Sequence, residues 1–426
     1  MTDLLSMPRP YQAIECCRLC GNPELHPILH LGEQALTGIF PRSKSDHVST
    51  GPLELVRCHI ADRHHHCGLV QLRHSFDLNE MYGANYGYRS SLNRAMVDHL
   101  RDKVATLTRL VQPTADSLVI DIGSNDGTLL SFYHAGGPTL VGIDPTSAKF
   151  RPYYRQDIHV ISDFFSSTVV RQAFGKRQAD IITSIAMFYD LEDPLAFVRQ
   201  IAEVLSPRGV WHFEQSYLPS MLETTSYDTI CHEHLEYYAV RQIDWALSRA
   251  KLKIIDLQLN DVNGGSFAIT AAHAAAPFKP TPAVEAIKLR EAELKLESSI
   301  PYSAFAERVQ QHRHELLNFL GSLRAQGAKV LGYGASTKGN VILQYCGLTA
   351  LELPAIAEVN SDKFGCYTPG SLIPIISEAE AHVQRPDYFL VLPWHFRDNL
   401  IHREAAYLRA GGKMIFPMPR IEIVTS

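Results

Sequence analysis

Strand-length apolar runs alternate with helically spaced apolar positions through the middle of this chain. The runs 118–123 (LVIDIG), 139–144 (TLVGID), 179–188 (ADIITSIAMF) and 209–215 (GVWHFEQ) are short and mostly apolar, as strands buried on both faces are. Segments 128–136 and 194–205 lie between them and space their apolar residues as helices do. The alternation predicts an α/β domain on a doubly wound parallel sheet. Two further strands, 253–259 and 266–274, are joined by the turn DVNGG and end the sheet with an antiparallel tail.

The pattern changes on either side. Residues 1–80 are rich in Cys, His, Pro and Gly and lack long periodic segments, which predicts a small stapled module. The α/β domain takes 81–275. The linker AAAPFKPTP opens the last region, 276–426. A charged helical stretch interrupted near Pro301 follows, then a second α/β unit begins at KVLGYGASTKGN and continues through 354–360, 387–396 and 413–419.

The chain has 426 residues, 46% hydrophobic and 20% charged, with a formal charge of −5. That balance fits a globular protein and disfavours a nucleic-acid partner. No apolar run is of bilayer length, and the first residues lack a basic and then apolar leader. The expectation is a cytoplasmic protein with no membrane partner and with its eight cysteines reduced.

Reduced, clustered cysteines suggest metal. Cys17 and Cys20 form a CxxC knuckle, and Cys58 and Cys67 supply a second, wider pair. Four thiolates suit one tetrahedral structural Zn²⁺ with no open position. His64, His65 and His66 fall in the wide spacer and offer alternative ligands.

The first strand of the sheet ends at Asp121 and breaks into Gly123-Ser-Asn125-Asp126-Gly127; the second ends at Asp144. Strand, glycine turn, helix, strand, acid is how an open parallel sheet holds an adenosine cofactor, the second acid accepting from the ribose hydroxyls. The turn is not GxGxxG, so there is no three-glycine pyrophosphate cradle, and S-adenosylmethionine (SAM) is favoured over NAD. Asp163 and Phe164, after the third strand, are placed to accept from the adenine amino group and cover its ring. Ser184 to Phe188 end the fourth strand and are expected to line the methyl-donor pocket. The Tyr- and Gly-rich segment 82–91 holds Tyr86 and Tyr88, candidates to touch the substrate.

The segment Cys231-His232-Glu233-His234 follows the fifth strand on the cofactor side. Adjacent residues point apart, so HEH suits acid–base work better than metal ligation, with the neighbouring carboxylate of Glu233 orienting the imidazole and stabilising its cation. Glu214 and Tyr217, in FEQSYLP, are further polar candidates, Tyr217 for the substrate. In the last region the turn before Ser336, Thr337 and Lys338 opens a helix whose N–H groups can bind an anion, with Lys338 adding charge. The same turn leaves an NAD-binding reading open.

GxNDG, YGYRSSLN, HEHLEYY, NGGS and GYGASTKGN occur here in one order, behind CRLCG and CGLVQL. The set resembles the three-domain sugar C-methyltransferases over nearly the whole chain. The resemblance implies a zinc-binding module, a class I SAM methyltransferase sheet and a Rossmann-like domain that helps hold a nucleotide-diphosphate sugar through Ser336, Thr337 and Lys338. It implies SAM-dependent methylation at C3 of a nucleotide-linked 4-keto-6-deoxyhexose by way of an enolate, in deoxysugar biosynthesis. His234 falls on the family's base, Glu233 on its adjacent glutamate and Tyr88 on a tyrosine that holds the enolate oxygen. Two positions depart: a family tyrosine is Cys231, and a histidine after the fourth strand is Phe188 or Tyr189. O- or N-methylation of a related metabolite and an NAD(P)-dependent oxidoreductase are the competing activities.

Overall fold

Three large sheets and one two-stranded pair carry the architecture in the computed structural model, which describes residues 11–81 and 89–426. The N-terminal strands are β1 (Tyr11–Ala13), β2 (Leu25–Ala35), β3 (Thr50–Cys58), β4 (Val70–Leu72) and β5 (His74–Phe76). The central strands are β6 (Leu118–Ile122), β7 (Thr139–Ile143), β8 (Ile158–Ile161), β9 (Ala179–Ile185) and β10 (Leu205–Ser216). They are followed by β11 (Glu236–Tyr237), β12 (Leu252–Asn260) and β13 (Ser266–His273).

The central sheet runs β12-β13-β10-β9-β6-β7-β8. Strands β6 to β10 are mutually parallel, and β13 enters antiparallel between β10 and β12. This is the sheet of a class I SAM methyltransferase. Every residue of β6 is buried, as its unbroken apolar run predicts. The helix expected over 128–136 is absent as such. That stretch forms a short 3₁₀ turn, Leu130–Phe132, because Gly136, in the left-handed region, Gly137 and Pro138 stop it before it can lengthen.

The C-terminal unit adds β14 (Val330–Tyr333), β15 (Ile356–Glu358), β16 (Ile375–Ser377), β17 (Tyr388–Val391), β18 (Lys413–Phe416) and β19 (Glu422–Val424). Their order is β16-β15-β14-β17-β18-β19, parallel except for β19. Helix Ile300–Ala325 crosses beside it. Its His312 imidazole joins the Tyr227 hydroxyl to the Pro417 carbonyl, tying the post-β10 segment to the end of the chain.

The N-terminal module is wedged between these two units. Leu29, Leu53, Leu55 and Leu72 share a core with Phe305 and the C-terminal sheet, whereas Cys17, Leu19, Cys58 and Leu69 share one with Trp211 and the central sheet. One strand of the module's sheet comes from elsewhere in the sequence. The order is β11-β4-β3-β2, with β11 pairing Glu236 to Gln71 and Tyr237 to Val70. The module is therefore completed by residues that directly follow His234.

Glu214, on β10, lies in a structural cluster. Its carboxylate meets His99 Nε2 at 2.6 Å, Lys103 Nζ at 2.7 Å and Asn260 Nδ2 at 3.0 Å. Burial alone would raise its pKa, but His99 and Lys103 overcome that and hold it at about 2. A depressed carboxyl stabilises the fold above its unfolded pKa, and the contribution is lost as pH falls from about 4 toward 2. Glu214→Gln should cost about 3 kcal/mol near neutrality. The gap to wild type in urea midpoint should narrow at pH 3; a gap independent of pH would remove the ion-pair account.

Candidate active site

The cofactor loop follows β6. Gly123 and Gly127 have φ of 70° and 75°, and Asn125 also lies in the left-handed region at 50°. A Cβ at Gly127 would fall 2.7 Å from the Tyr154 ring, so only glycine fits that turn. Asp121 is buried, accepts from the Thr183 hydroxyl at 2.6 Å and is pushed up to about 7 by burial. Asp144, at the end of β7, accepts from the Asn125 amide at 2.9 Å and from the Thr146 amide and hydroxyl, each at 2.6 Å. Oδ2 therefore retains acceptor capacity for a ribose hydroxyl. Asn125 and Asp126 turn toward the segment before the sheet, accepting from the Ser90 and Ser91 amides. Asp163 and Phe164 are exposed beyond β8, with the Phe164 ring unburied at the rim. Asp144→Ala should weaken SAM binding about tenfold, the worth of one charge-assisted hydrogen bond. Calorimetry checks it, and unchanged affinity would move the ribose contact elsewhere.

Ser184 does not line that loop. It is fully buried, and its hydroxyl accepts from the Trp211 indole at 2.9 Å on the core side of β9. Of the other residues expected there, Met187 lies beside the loop. Ala186 takes a left-handed turn at φ 54°, which sets Met187 about 3.1 Å from where a Cβ on Gly123 would be. That turn sends Phe188 into the core beside Trp211 and Phe213, and brings the Tyr189 ring to 4.3 Å from that of His234. Tyr189, not Phe188, is thus the neighbour of the base candidate.

His234 is half-buried, and its Nδ1–H donates to the Thr229 carbonyl at 2.9 Å. That bond leaves the Nε2 lone pair free, and Nε2 has no hydrogen-bond partner among the described residues. Burial, and then the positive charge of Lys338, hold the imidazole down at about 3, so it is neutral and able to accept a proton. Glu233 does not orient it. Its carboxylate points instead to the Thr37 hydroxyl at 3.3 Å and against Gly38, and burial raises its pKa. The tight turn at Cys231–His234 sends the two side chains apart. His232 is fully buried against Phe76 and stays neutral, held at about 4 by burial.

Tyr217 is likewise spent inside the protein: its hydroxyl donates to Glu291 at 2.8 Å. Ser336 is the N-cap of helix Thr337–Cys346, accepting from the Gly339 amide at 3.0 Å. The start of that helix is covered by the loop after β2, where Asn340 donates to the Thr37 carbonyl. Lys338 donates to the Asn263 carbonyl at 2.7 Å. Tyr86 and Tyr88 lie outside the described residues. Thr229, Asn263 and Trp394 were not legible as site residues, because they work through a backbone carbonyl or by converging from distant segments.

In the N-terminal module Cys17, Cys20, Cys58 and Cys67 bring all four Sγ atoms within 4.8 Å of one another, with Cys17–Cys67 and Cys20–Cys58 at 3.5 Å. Tetrahedral zinc with Zn–S near 2.3 Å needs sulfurs about 3.8 Å apart, so the set fits the ion. Gly21 and Gly68, each just after a cysteine, take the left-handed region that closes a knuckle. The Leu69 amide and Asn22 Nδ2 point at Cys67 and Cys58 sulfurs, as donors to thiolates do. His64, His65 and His66 gather round Asp62, away from the sulfurs.

Comparison with known proteins agrees with this layout. A family described as "Methyltransferase domain" matches residues 92–257, "C-methyltransferase C-terminal domain" matches 261–419, and "Putative zinc binding domain" matches 17–82. The chain is a SAM-dependent methyltransferase. The methyltransferase is 29% identical to "C-methyltransferase NovU" of Streptomyces niveus over 97% of each chain. Among solved structures, the Burkholderia thailandensis 1,6-didemethyltoxoflavin-N1-methyltransferase with S-adenosylhomocysteine aligns at 13% identity, over 43% of this chain and 78% of that one, with a TM-score of 0.32. The plantazolicin methyltransferase BpumL, also with S-adenosylhomocysteine, aligns at 12% identity, over 41% and 82%, with a TM-score of 0.32.

Proposed function

We propose that this methyltransferase moves the methyl group of SAM to C3 of a nucleotide-linked 4-keto-6-deoxyhexose, in deoxysugar biosynthesis. The observation that carries the reading is His234: a neutral imidazole whose tautomer is fixed by the Thr229 carbonyl and whose Nε2 is free to take a proton. Carbon alkylation needs such a base, because the C–H beside a ketone must be ionised before the carbon can attack. SAM supplies the electrophilic methyl. The chain's own part is to hold the cofactor on the loop after β6, to place Nε2 at the acidic C–H and to keep water from the enolate. The C-methyltransferase relative and the matching C-terminal domain support transfer to carbon. Division of labour follows the three regions: zinc-binding module, methyltransferase domain and nucleotide-sugar-binding domain.

The test is incubation with SAM and dTDP-, GDP- and CDP-linked 4-keto-6-deoxyhexoses, with products read by mass spectrometry and NMR. A methyl on C3 of one sugar is the expected result. A methyl on oxygen or nitrogen, or transfer to none of them, would overturn the reading.

A further inference from the structure

Four segments meet beside Thr229, whose carbonyl fixes His234, and bring polar groups that lack partners among the described residues. Asp228, next to the Thr229 that fixes the imidazole, is fully buried; its Oδ2 accepts from the Trp394 indole at 2.8 Å, while Oδ1 has no partner. His395, beside Trp394, has a buried and unpartnered Nδ1. The loop Val262–Gly264 packs on both, since a Cβ at Gly264 would lie 3.4 Å from Trp394 and 3.8 Å from His395. From the fourth segment comes Lys338. Its ammonium makes one hydrogen bond among the described residues, to Asn263, leaving two N–H bonds unspent. Lys338 and Asp228 attract each other electrostatically yet form no ion pair among the described residues. Unpartnered polar groups at this depth are costly unless something fills their valences. A bound polar ligand would supply those valences.

The diphosphate role implied by the resemblance draws little from the two neighbours of Lys338. The Ser336 hydroxyl is used to cap the helix, and Thr337 lies against Gly38 at the half-buried start of the helix. The electrostatics around His234 point to a different task. A base held near 3 is weak, so the proton it takes must be made acidic from the other side. Lys338 Nζ is held on the Asn263 carbonyl, in the loop that packs on Trp394 and His395, and its charge, felt at the base, also favours the negative charge made when the base acts.

We propose that Lys338 holds the ketone oxygen of the acceptor as it becomes an enolate, with Asp228 and His395 receiving the neighbouring sugar hydroxyls. The inference rests on the keto-sugar reading above. In the step, Nε2 of His234 takes the C3 proton, the C–H electron pair forms the C3–C4 double bond, and the C4 carbonyl pair moves onto oxygen, where Lys338 N–H donates to it. The oxygen pair then returns to re-form the ketone, C3 bonds to the SAM methyl, and the S–CH₃ bond breaks to leave S-adenosylhomocysteine. The proton on His234 passes to solvent.

The test is exchange of the C3 proton of dTDP-4-keto-6-deoxyglucose, or of whichever keto sugar wild type methylates, in D₂O. S-adenosylhomocysteine replaces SAM so that methyl transfer is off, and turnover with SAM is measured alongside. For Lys338→Met, exchange and kcat should each fall about 10²-fold or more, with KM for the sugar within about threefold of wild type. Lys338→Arg, which keeps the cation, should recover part of both rates. A raised KM with kcat retained would assign Lys338 to binding the nucleotide and overturn the inference alone. Equal loss in Met and Arg variants, together with a lowered melting temperature in both, would assign it to holding the Asn263 loop and would also overturn it. Failure of wild type to exchange or methylate any keto sugar would overturn the function on which the inference stands.

Discussion

His234→Ala should lower turnover by about 10²–10⁴-fold, while SAM affinity stays within about twofold. The separation is expected because the two jobs sit on different elements. The cofactor loop follows β6 and is shaped by Gly123, Gly127 and Asp144, whereas His234 is held by the Thr229 carbonyl in the segment after β10. Removing the imidazole leaves the loop intact and removes the Nε2 that is free to take a proton. Paired measurement of SAM binding by calorimetry and of methyl transfer at saturating SAM checks this. Loss of SAM binding in step with turnover would make His234 a cofactor-site residue and end the base assignment.

The second large effect should come from a residue remote from the chemistry. Metal analysis should find about one zinc per chain. Cys58→Ser should remove it, and turnover should collapse with it. Cys58 ends β3, β3 pairs with β4, and β4 pairs with β11, which begins two residues after His234. Helix Val240–Arg249 closes the path from the other side, its Gln242 donating to the Cys67 and Gly68 carbonyls. Structural zinc is worth about 10–16 kcal/mol in small zinc modules. That is as large as the whole stability of a typical domain, about 5–15 kcal/mol, so losing it should unfold the knuckles rather than loosen them. A metal-free variant with wild-type activity and an unchanged melting temperature would sink the zinc centre and its link to the base together.

What could be read from the chain alone was what depends on local pattern. The buried runs, the glycine turn after Asp121 and the acid at Asp144 are local, and each lies where the spacing puts it. The cysteine set was legible as well, since metal chemistry needs those residue types whatever joins them. The failures share one cause: the partner of each group was not in its neighbourhood. Ser184 was expected to face the cofactor, but Trp211 on the next strand takes its hydroxyl. Tyr217 was expected at the substrate, but Glu291 takes its hydroxyl from 74 residues away. Glu233 was expected to orient its neighbour, yet a carbonyl five residues upstream of His234 does so. Sequence spacing does not show which of several plausible partners wins when several segments meet.

The sharing of β11 between modules also bears on how the chain comes together during synthesis. β4 ends at Leu72, and the strand that covers its edge does not emerge until Glu236. Until then β4 presents an open row of backbone groups, the kind of edge along which other chains add. Domains generally fold as they emerge, N-terminal first, but here the first must wait for most of the second. So long a separation between paired strands slows closure. A nascent chain stalled short of residue 236 is therefore the species most exposed to strand-to-strand association, and a library of truncations should show solubility rising once β11 has been included.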